Sequence, residues 1–353
     1  MQVIQTEHYP IYISEKGYNF LNSYIKETNP TKIFVLVDSN THEFCLPIFM
    51  GYLETSAQIE ILEVEPGEIN KTIETTVQLW SALSEMEADR KSLLINLGGG
   101  LISDLGGFVA STYKRGIACI NIPTSLLSMV DASIGGKTGI DLDGLKNQIG
   151  TFSFPKLIII DSQYLESLPF EELRSGFAEM LKHGLIFNQN HWQDLINTEE
   201  LNIKNIFPFI RNSILVKKEV TDQDPFESGL RKILNFGHTI GHAIESYYLT
   251  TEKPLLHGEA IYMGMLAEAH LSFSIGYITE FELKEIKENI TKFYTPIKIS
   301  KIIYPNLFEW LAHDKKNVAK TINFSLLTSI GSCGYDIKVT EEQITQALDF
   351  INS

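Results

Sequence analysis

The sequence predicts an α/β protein in two parts, and three observations carry that prediction. At 353 residues the chain is longer than one compact core organises well. Its first half alternates short β-branched runs with helix-length segments, the pattern of a parallel sheet covered on both faces. After Leu168-Pro169 the alternation stops and long stretches of helical periodicity follow. The expected division is an α/β domain over 1–165 and a mainly helical domain over 166–353.

Taken in order, residues 1–14 read as a strand pair at the sheet edge. Residues 32–38, 59–64, 92–97, 119–123 and 157–161 are nearly continuous apolar runs and read as buried strands. A helix fits between them over 70–86. In the second half, 170–185, 206–221, 233–247 and 258–275 carry helical periodicity, and 321–327 with 336–339 form a short strand pair. The interface of two such domains is a usual place for a ligand.

With 44% hydrophobic and 21% charged residues the composition is that of an ordinary globular protein. Runs such as 157–160 are too short to span a bilayer, and the N-terminus lacks the basic start and apolar stretch of a signal peptide, so the expectation is a cytoplasmic protein. Cys45, Cys119 and Cys333 are scattered, which argues against a disulfide framework and a cysteine-rich zinc knuckle. A net charge of -15 disfavours a nucleic-acid partner and requires that any anionic ligand meet a local cationic pocket.

Four segments carry chemistry. The strand ending at Leu97 runs into Gly98-Gly99-Gly100 and on to Asp104 and Gly106-Gly107, where backbone N–H groups can approach a pyrophosphate at a helix N-terminus. The stretch 65–71, with Glu68 and Lys71, follows the preceding strand and reads either as a contact to the ribose side or as a polar turn. The block 123–139, from Thr124 and Ser125 through Asp131 to Lys137 between glycines, reads as a loop of amides around a cation. With Lys146, Asn147 and the upstream Arg115 it suits a phosphate or carboxylate, against the plainer reading of an Asp131–Lys137 ion pair.

In the second half, Glu179 and Lys182 stand one helical turn apart among apolar neighbours, which weighs against a mere surface pair. Residues 231–245 read as one helix with Asn235, His238 and His242 on one face and Arg231 a turn back, a metal site that also holds an anion. His257 precedes a further helix. Glu179, His238, His242 and His257 are more ligands than one ion needs, and spacing leaves open which three bind.

These motifs together resemble the 3-dehydroquinate synthase family. The resemblance runs from Asp38 through Lys316 and is carried by residues 98–108, 130–139, 176–184 and 231–245. It implies a Rossmann-like NAD-binding domain followed by a helical metal-binding domain. By motif, Glu179, His238 and His257 would hold zinc or cobalt. Asp131, Lys137, Asn147, Lys182, Lys217, Arg231, Asn235 and His242 would line the substrate pocket, with Arg115 reaching the phosphate site of a partner in a homodimer. Asp38, Glu68, Lys71, Gly98, Gly99, Gly100, Asp104, Thr124, Ser125, Lys137, Lys146 and Ser167 would serve NAD, and Lys315 or Lys316 would touch the phosphate.

The implied substrate is a phosphorylated keto-sugar acid, 3-deoxy-D-arabino-heptulosonate 7-phosphate. The implied route to 3-dehydroquinate is transient oxidation, β-elimination of phosphate, re-reduction, ring opening and aldol closure. Ser125 and Ser167 replace common threonines, and Pro225-Phe226 stand where polar residues are common, with Glu227 retained. Another sugar-phosphate cyclase, a metal-dependent polyol dehydrogenase and an inactive binding module are the alternative readings.

Overall fold

The structure is a computed structural model that describes residues 2–143, 145–295, 297–313 and 322–352. The chain separates into two units, Met1–Pro169 and Phe170–Ser353.

In the first unit, β1 (Gln2–Gln5) and β2 (Pro10–Ile13) precede α1 (Gly17–Thr28), β3 (Lys32–Asp38), α2 (Ser39–Phe44) and α3 (Leu46–Tyr52). Then come β4 (Gln58–Val64), α4 (Ile73–Glu85), β5 (Leu93–Gly98), α5 (Gly100–Thr112) and β6 (Ala118–Pro123). A hairpin of β7 (Lys137–Leu142) and β8 (Leu145–Phe152) follows, and β9 (Ile158–Ile160) completes the unit. Seven strands form one sheet in the order β1-β2-β9-β6-β5-β3-β4. It is parallel throughout except that β1 pairs antiparallel with β2 at the edge. The crossover order puts β3, β5 and β6 in the interior, and their residues Phe34, Leu36, Leu94, Ile95 and Ile120 are buried. Each such aliphatic or aromatic side chain contributes about 1.5–3 kcal/mol by leaving water.

The C-terminal ends of β3, β5 and β6 therefore lie side by side, and each runs directly into a loop or helix that carries candidate residues. Asp38, the last residue of β3, caps α2: its Oδ1 accepts the Thr41 N–H at 2.8 Å. Gly98 ends β5 and Gly100 begins α5, while the Thr124 N–H donates to the Gly98 carbonyl at 3.0 Å. A side chain at Gly98 would sit 2.4 Å from Ile102, so the strand can turn into α5 at this distance only as glycine.

The second unit is helical: α6 (Phe170–Phe187), α7 (Gln189–Ile196), α8 (Ile203–Gln223), α9 (His238–Leu249), α10 (His257–Ser274), α11 (Glu280–Phe293) and α12 (Tyr304–His313). The antiparallel pair β10 (Asn323–Ser329) and β11 (Ser332–Lys338) and then α13 (Glu341–Ile351) close it. α10 is buried on nearly every side, from Ala260 to Leu271, which makes it the central helix against which α6, α9, α11 and α13 pack. Among the described residues no helix is long and apolar enough to cross a membrane.

Two expectations are corrected. Residues 231–245 are not one helix: Leu230–Asn235 form a 3-10 turn, Gly237 has φ +78°, and α9 begins only at His238. Arg231 and Asn235 thus belong to a separate segment from His238 and His242. The break has a packing cause, because a β-carbon at Gly237 would lie 2.6 Å from Met265 on α10. Lys137 is not the centre of an amide loop either. It opens the β7 strand of a hairpin in which Gly139 faces Gly150.

Candidate active site

In the second unit three helices bring a carboxylate and two imidazoles together. Glu179 lies in the middle of α6 and is fully buried, while His238 and His257 are the first residues of α9 and α10. Glu179 Oε1 is 3.4 Å from His238 Nε2 and 3.3 Å from His257 Nε2. Ligands on bonds of about 2.0–2.1 Å to a tetrahedral ion stand about 3.3–3.4 Å apart. The two distances to the carboxylate oxygen match that spacing, the three ligand atoms lie within 4.8 Å of one another, and a carboxylate with two imidazoles is a suitable donor set for zinc or cobalt.

The outward nitrogens have partners as well. His238 Nδ1 is 3.1 Å from the Phe236 carbonyl, and His257 Nδ1 is 3.4 Å from Glu245 Oε2. Such contacts fix the ring orientation and leave Nε2 to face inward. Burial alone would lower the His257 pKa, but Glu245 and Glu179 outweigh it and hold the imidazole up at about 9. His242 lies one turn along α9, its ring centroid 5.0 Å from that of His238 and 6.1 Å from that of His257. It could join His257 and Glu245 as an alternative donor set. The Glu179 set places two imidazole nitrogens on one oxygen and leaves Glu245 in its supporting role.

One cation touches this cluster, and others are buried elsewhere in the same unit. The Lys182 ammonium pairs with Glu179 Oε2 and donates to the Leu234 carbonyl at 2.8 Å, with the side chain 1% exposed. Lys217 is buried on α8. Arg231, also buried, donates from Nη1 to the Pro225 carbonyl at 2.6 Å, and Asn235 donates to Glu227 Oε1 at 2.8 Å. The loop that carries them is organised by Asp224, whose carboxylate accepts the N–H groups of Ser228, Gly229 and Arg231 at 2.9, 2.7 and 3.0 Å. Burial pushes that carboxyl up, but the three N–H donors win and hold it down at about 2.

The first unit presents a second cluster. The Lys71 ammonium, 3% exposed, donates to Asp104 Oδ2 and Asn147 Oδ1 at 2.7 Å each and to Glu68 Oε1 at 3.2 Å. Lys146 Nζ is 3.2 Å from the same Glu68 oxygen. The Lys71 carbonyl accepts the Asp141 N–H at 2.8 Å, and Asp141 in turn accepts the Asn147 N–H at 2.7 Å. Burial would lower the Lys71 pKa, but Asp104 and Glu68 overcome it and raise it above the ordinary lysine value.

Around the glycine turn, Ser125 lies against Gly99, and Thr124, Ser167 and Asp38 surround the thiol of Cys45. Burial and Asp38 push that thiol up to about 11 against hydrogen bonds from Thr124 and Ser167. Asp131 occupies a π-helical turn over Ser128–Ala132, and Arg115 is exposed in a turn at φ +69°. Lys315 and Lys316 lie outside the described residues.

Several supporting residues had no role in the sequence reading. Glu245 could have been found, since it follows His238 by two helical turns on one face. Asp224, Asp141 and Cys45 act through contacts that no spacing announces.

The family comparison is consistent along the chain. The 3-dehydroquinate synthase N-terminal domain matches residues 61–175 and the C-terminal domain matches residues 176–317. A 3-dehydroquinate synthase of Parabacteroides distasonis is 40% identical over 332 residues, 94% of this chain and 94% of its own length. Among solved structures, a 2-deoxy-scyllo-inosose synthase complexed with carbaglucose-6-phosphate, NAD+ and Co2+ superposes with a TM-score of 0.86 at 24% identity, covering 98% of this chain and 99% of that one. The 2-epi-5-epi-valiolone synthase of Streptomyces hygroscopicus with NAD+ and Zn2+ bound gives 0.85 at 23% identity, covering 99% and 98%. The low identities of the last two make them evidence of a shared fold. The matched domains and the 40% identity over nearly the whole length establish that this chain belongs to the 3-dehydroquinate synthase family.

Proposed function

We infer that the protein converts 3-deoxy-D-arabino-heptulosonate 7-phosphate to 3-dehydroquinate and phosphate, a redox-neutral lyase reaction that uses NAD and a divalent metal. The observation that carries this reading is the convergence of Glu179, His238 and His257 beside a buried lysine, in a chain that belongs to this family. Glu179, His238 and His257 would hold zinc or cobalt, and the turn at Gly98–Gly100 with Asp38, Glu68, Lys71, Asp104, Thr124, Ser125, Lys146 and Ser167 would hold NAD. When bound, the metal supplies Lewis acidity toward substrate hydroxyls and NAD supplies a reversible hydride acceptor.

The chain's own residues would do the binding, orienting and charge neutralisation. Arg231 and Lys217 suit the substrate carboxylate, Arg231 because its guanidinium is held in place by Pro225 and the Asp224-organised loop. Lys137, Asn147, His242 and Arg115, the last from a partner subunit, suit the phosphate, which leaves as a dianion and so gains most from fixed positive charge. Lys182 neutralises part of the Glu179 charge and, with Asn235, holds substrate oxygens near the metal ligands. Asp131 is assigned to the substrate hydroxyls. On this reading unit 1 is the NAD-binding domain, unit 2 carries the metal, and the protein acts as a homodimer in the cytoplasm.

The test is phosphate release by the purified protein from the heptulosonate 7-phosphate, with NAD and zinc, before and after EDTA. Metal-dependent release without net accumulation of NADH is expected. No release from a folded, metal-loaded protein overturns the reading, and net NADH formation from a polyol would point to the dehydrogenase alternative.

A further inference from the structure

α9 begins at an unusual place. Its N-cap is Gly237, which has no side chain to satisfy the free N–H groups of the first turn. Glu268, fully buried on α10, does this from outside: Oε2 accepts the Gly237 N–H at 2.6 Å and Oε1 accepts the Ile240 N–H at 3.0 Å. In an ordinary capping box two side chains of the same helix share those tasks, one for the N-cap N–H and one for the N–H three residues on. Here one carboxylate of a neighbouring helix does both. Between the two amides it grips stands His238, the first residue of α9.

α10 contributes at two points along its length. It begins with His257, and further along it carries Glu268. The helices meet closely between these points, since a β-carbon on Gly264 would lie 1.9 Å from the Gly237 carbonyl oxygen. The first turn of α9, where His238 is mounted, is therefore fixed to the same helix that supplies His257. A carboxylate also suits the positive end of the α9 dipole.

We propose that Glu268 is a positioning residue for the metal centre: by capping α9 from α10 it sets His238 at the distance from His257 that metal binding requires. The inference rests on the metal assignment made above and is tested so that the two fail separately. The Glu268→Gln variant keeps the size of the side chain but places an amide donor against a backbone donor. Its affinity for Zn2+ or Co2+ alone is measured by competition with a chromophoric chelator, at a temperature where the protein is folded, together with the absorption spectrum of the Co2+ form. Thr279→Ala, which removes the N-cap of α11, is the control for loss of a cap alone.

A weakening of about tenfold or more in Glu268→Gln, with a changed Co2+ spectrum and none of this in Thr279→Ala, is the expected result. Metal affinity equal to that of the unaltered protein, with only a lower Tm, overturns the proposal. If His257→Ala binds metal as the unaltered protein does, the metal assignment itself fails. A measurement without substitution covers the case in which Glu268→Gln does not fold. Hydrogen exchange of the segment 236–242 in the unaltered protein slows on adding metal if the cap and the ligand act on one turn. Unchanged exchange overturns the proposal.

Discussion

The cluster around Lys71 and the cluster around Glu179 both bury a lysine against carboxylates, but they answer different demands. Around Lys71 two ammonium groups meet Glu68 and Asp104, with Asp141 close by, and an amide from Asn147 completes the set. The contacts fasten α5, the loop after β4 and the β7–β8 hairpin together. Around Glu179 two imidazoles turn their nitrogens toward one carboxylate oxygen, and their opposite nitrogens are held from behind. The first arrangement organises the polypeptide around residues proposed to meet NAD. The second is a donor set that could hold a cation.

The sharpest break of this comparison comes from removing a ligand. His257→Ala is expected to abolish metal binding and to lower phosphate release by more than about 100-fold, beyond what loss of an outer-sphere partner costs. His242→Ala is expected to keep the metal and slow the reaction. Metal content by atomic emission on both variants decides it, and retention of metal by His257→Ala would reassign the site to other residues.

In the Lys71 cluster the expected lesion is one of stability and order. Lys71→Met removes the ammonium that Asp104, Glu68 and Asn147 share and leaves the Asp104 carboxylate without that ion pair. The cost should be about 2–3 kcal/mol, below the range for fully buried pairs because the Glu68 side chain is 29% exposed. Denaturant unfolding measures it, and KM for the phosphorylated substrate at saturating NAD should rise because the hairpin loses its anchor. A variant as stable as the parent would show that the cluster is not structural.

The smallest effect concerns the Asp224 loop. The folded carboxyl is held at about 2 against an ordinary 3.8, so its contribution is present above the unfolded value and is lost as pH falls through the folded one. Asp224→Asn is therefore expected to lower Tm by an amount corresponding to about 1–2 kcal/mol, constant above about pH 5 and shrinking below about pH 4. Thermal melts of both proteins across that range check it, and a gap that widens on acidification contradicts the assignment.

The sheet was readable because β3, β5, β6 and β9 are buried on both faces and so appear as unbroken apolar runs. The hairpin was not: β7 and β8 are half-exposed and carry Gly139 and Gly150, so they look like a glycine loop. The helix break at Gly237 was hidden for a related reason. Periodicity continues across it in the sequence, while the cause, the approach of Met265, comes from a helix farther along the chain. Motif spacing placed Glu179 and Lys182 on one turn, which the structure shows as a buried ion pair. The Asp224 and Glu268 contacts depend on backbone N–H groups, which every sequence has and none marks.

The glycines at the helix crossings set one more property. Gly264 brings α10 to within backbone contact of α9, and Gly258 does the same toward α6, where a β-carbon would lie 2.2 Å from the Ser175 carbonyl oxygen. The helices that carry the three proposed metal ligands thus rest on hard stops, and a cage built from them would have little freedom to widen. Ionic radius would then act as a selection rule. On that reading, ions that bind at about 2.0–2.1 Å would be favoured over calcium, which needs about 2.3–2.6 Å and more oxygens.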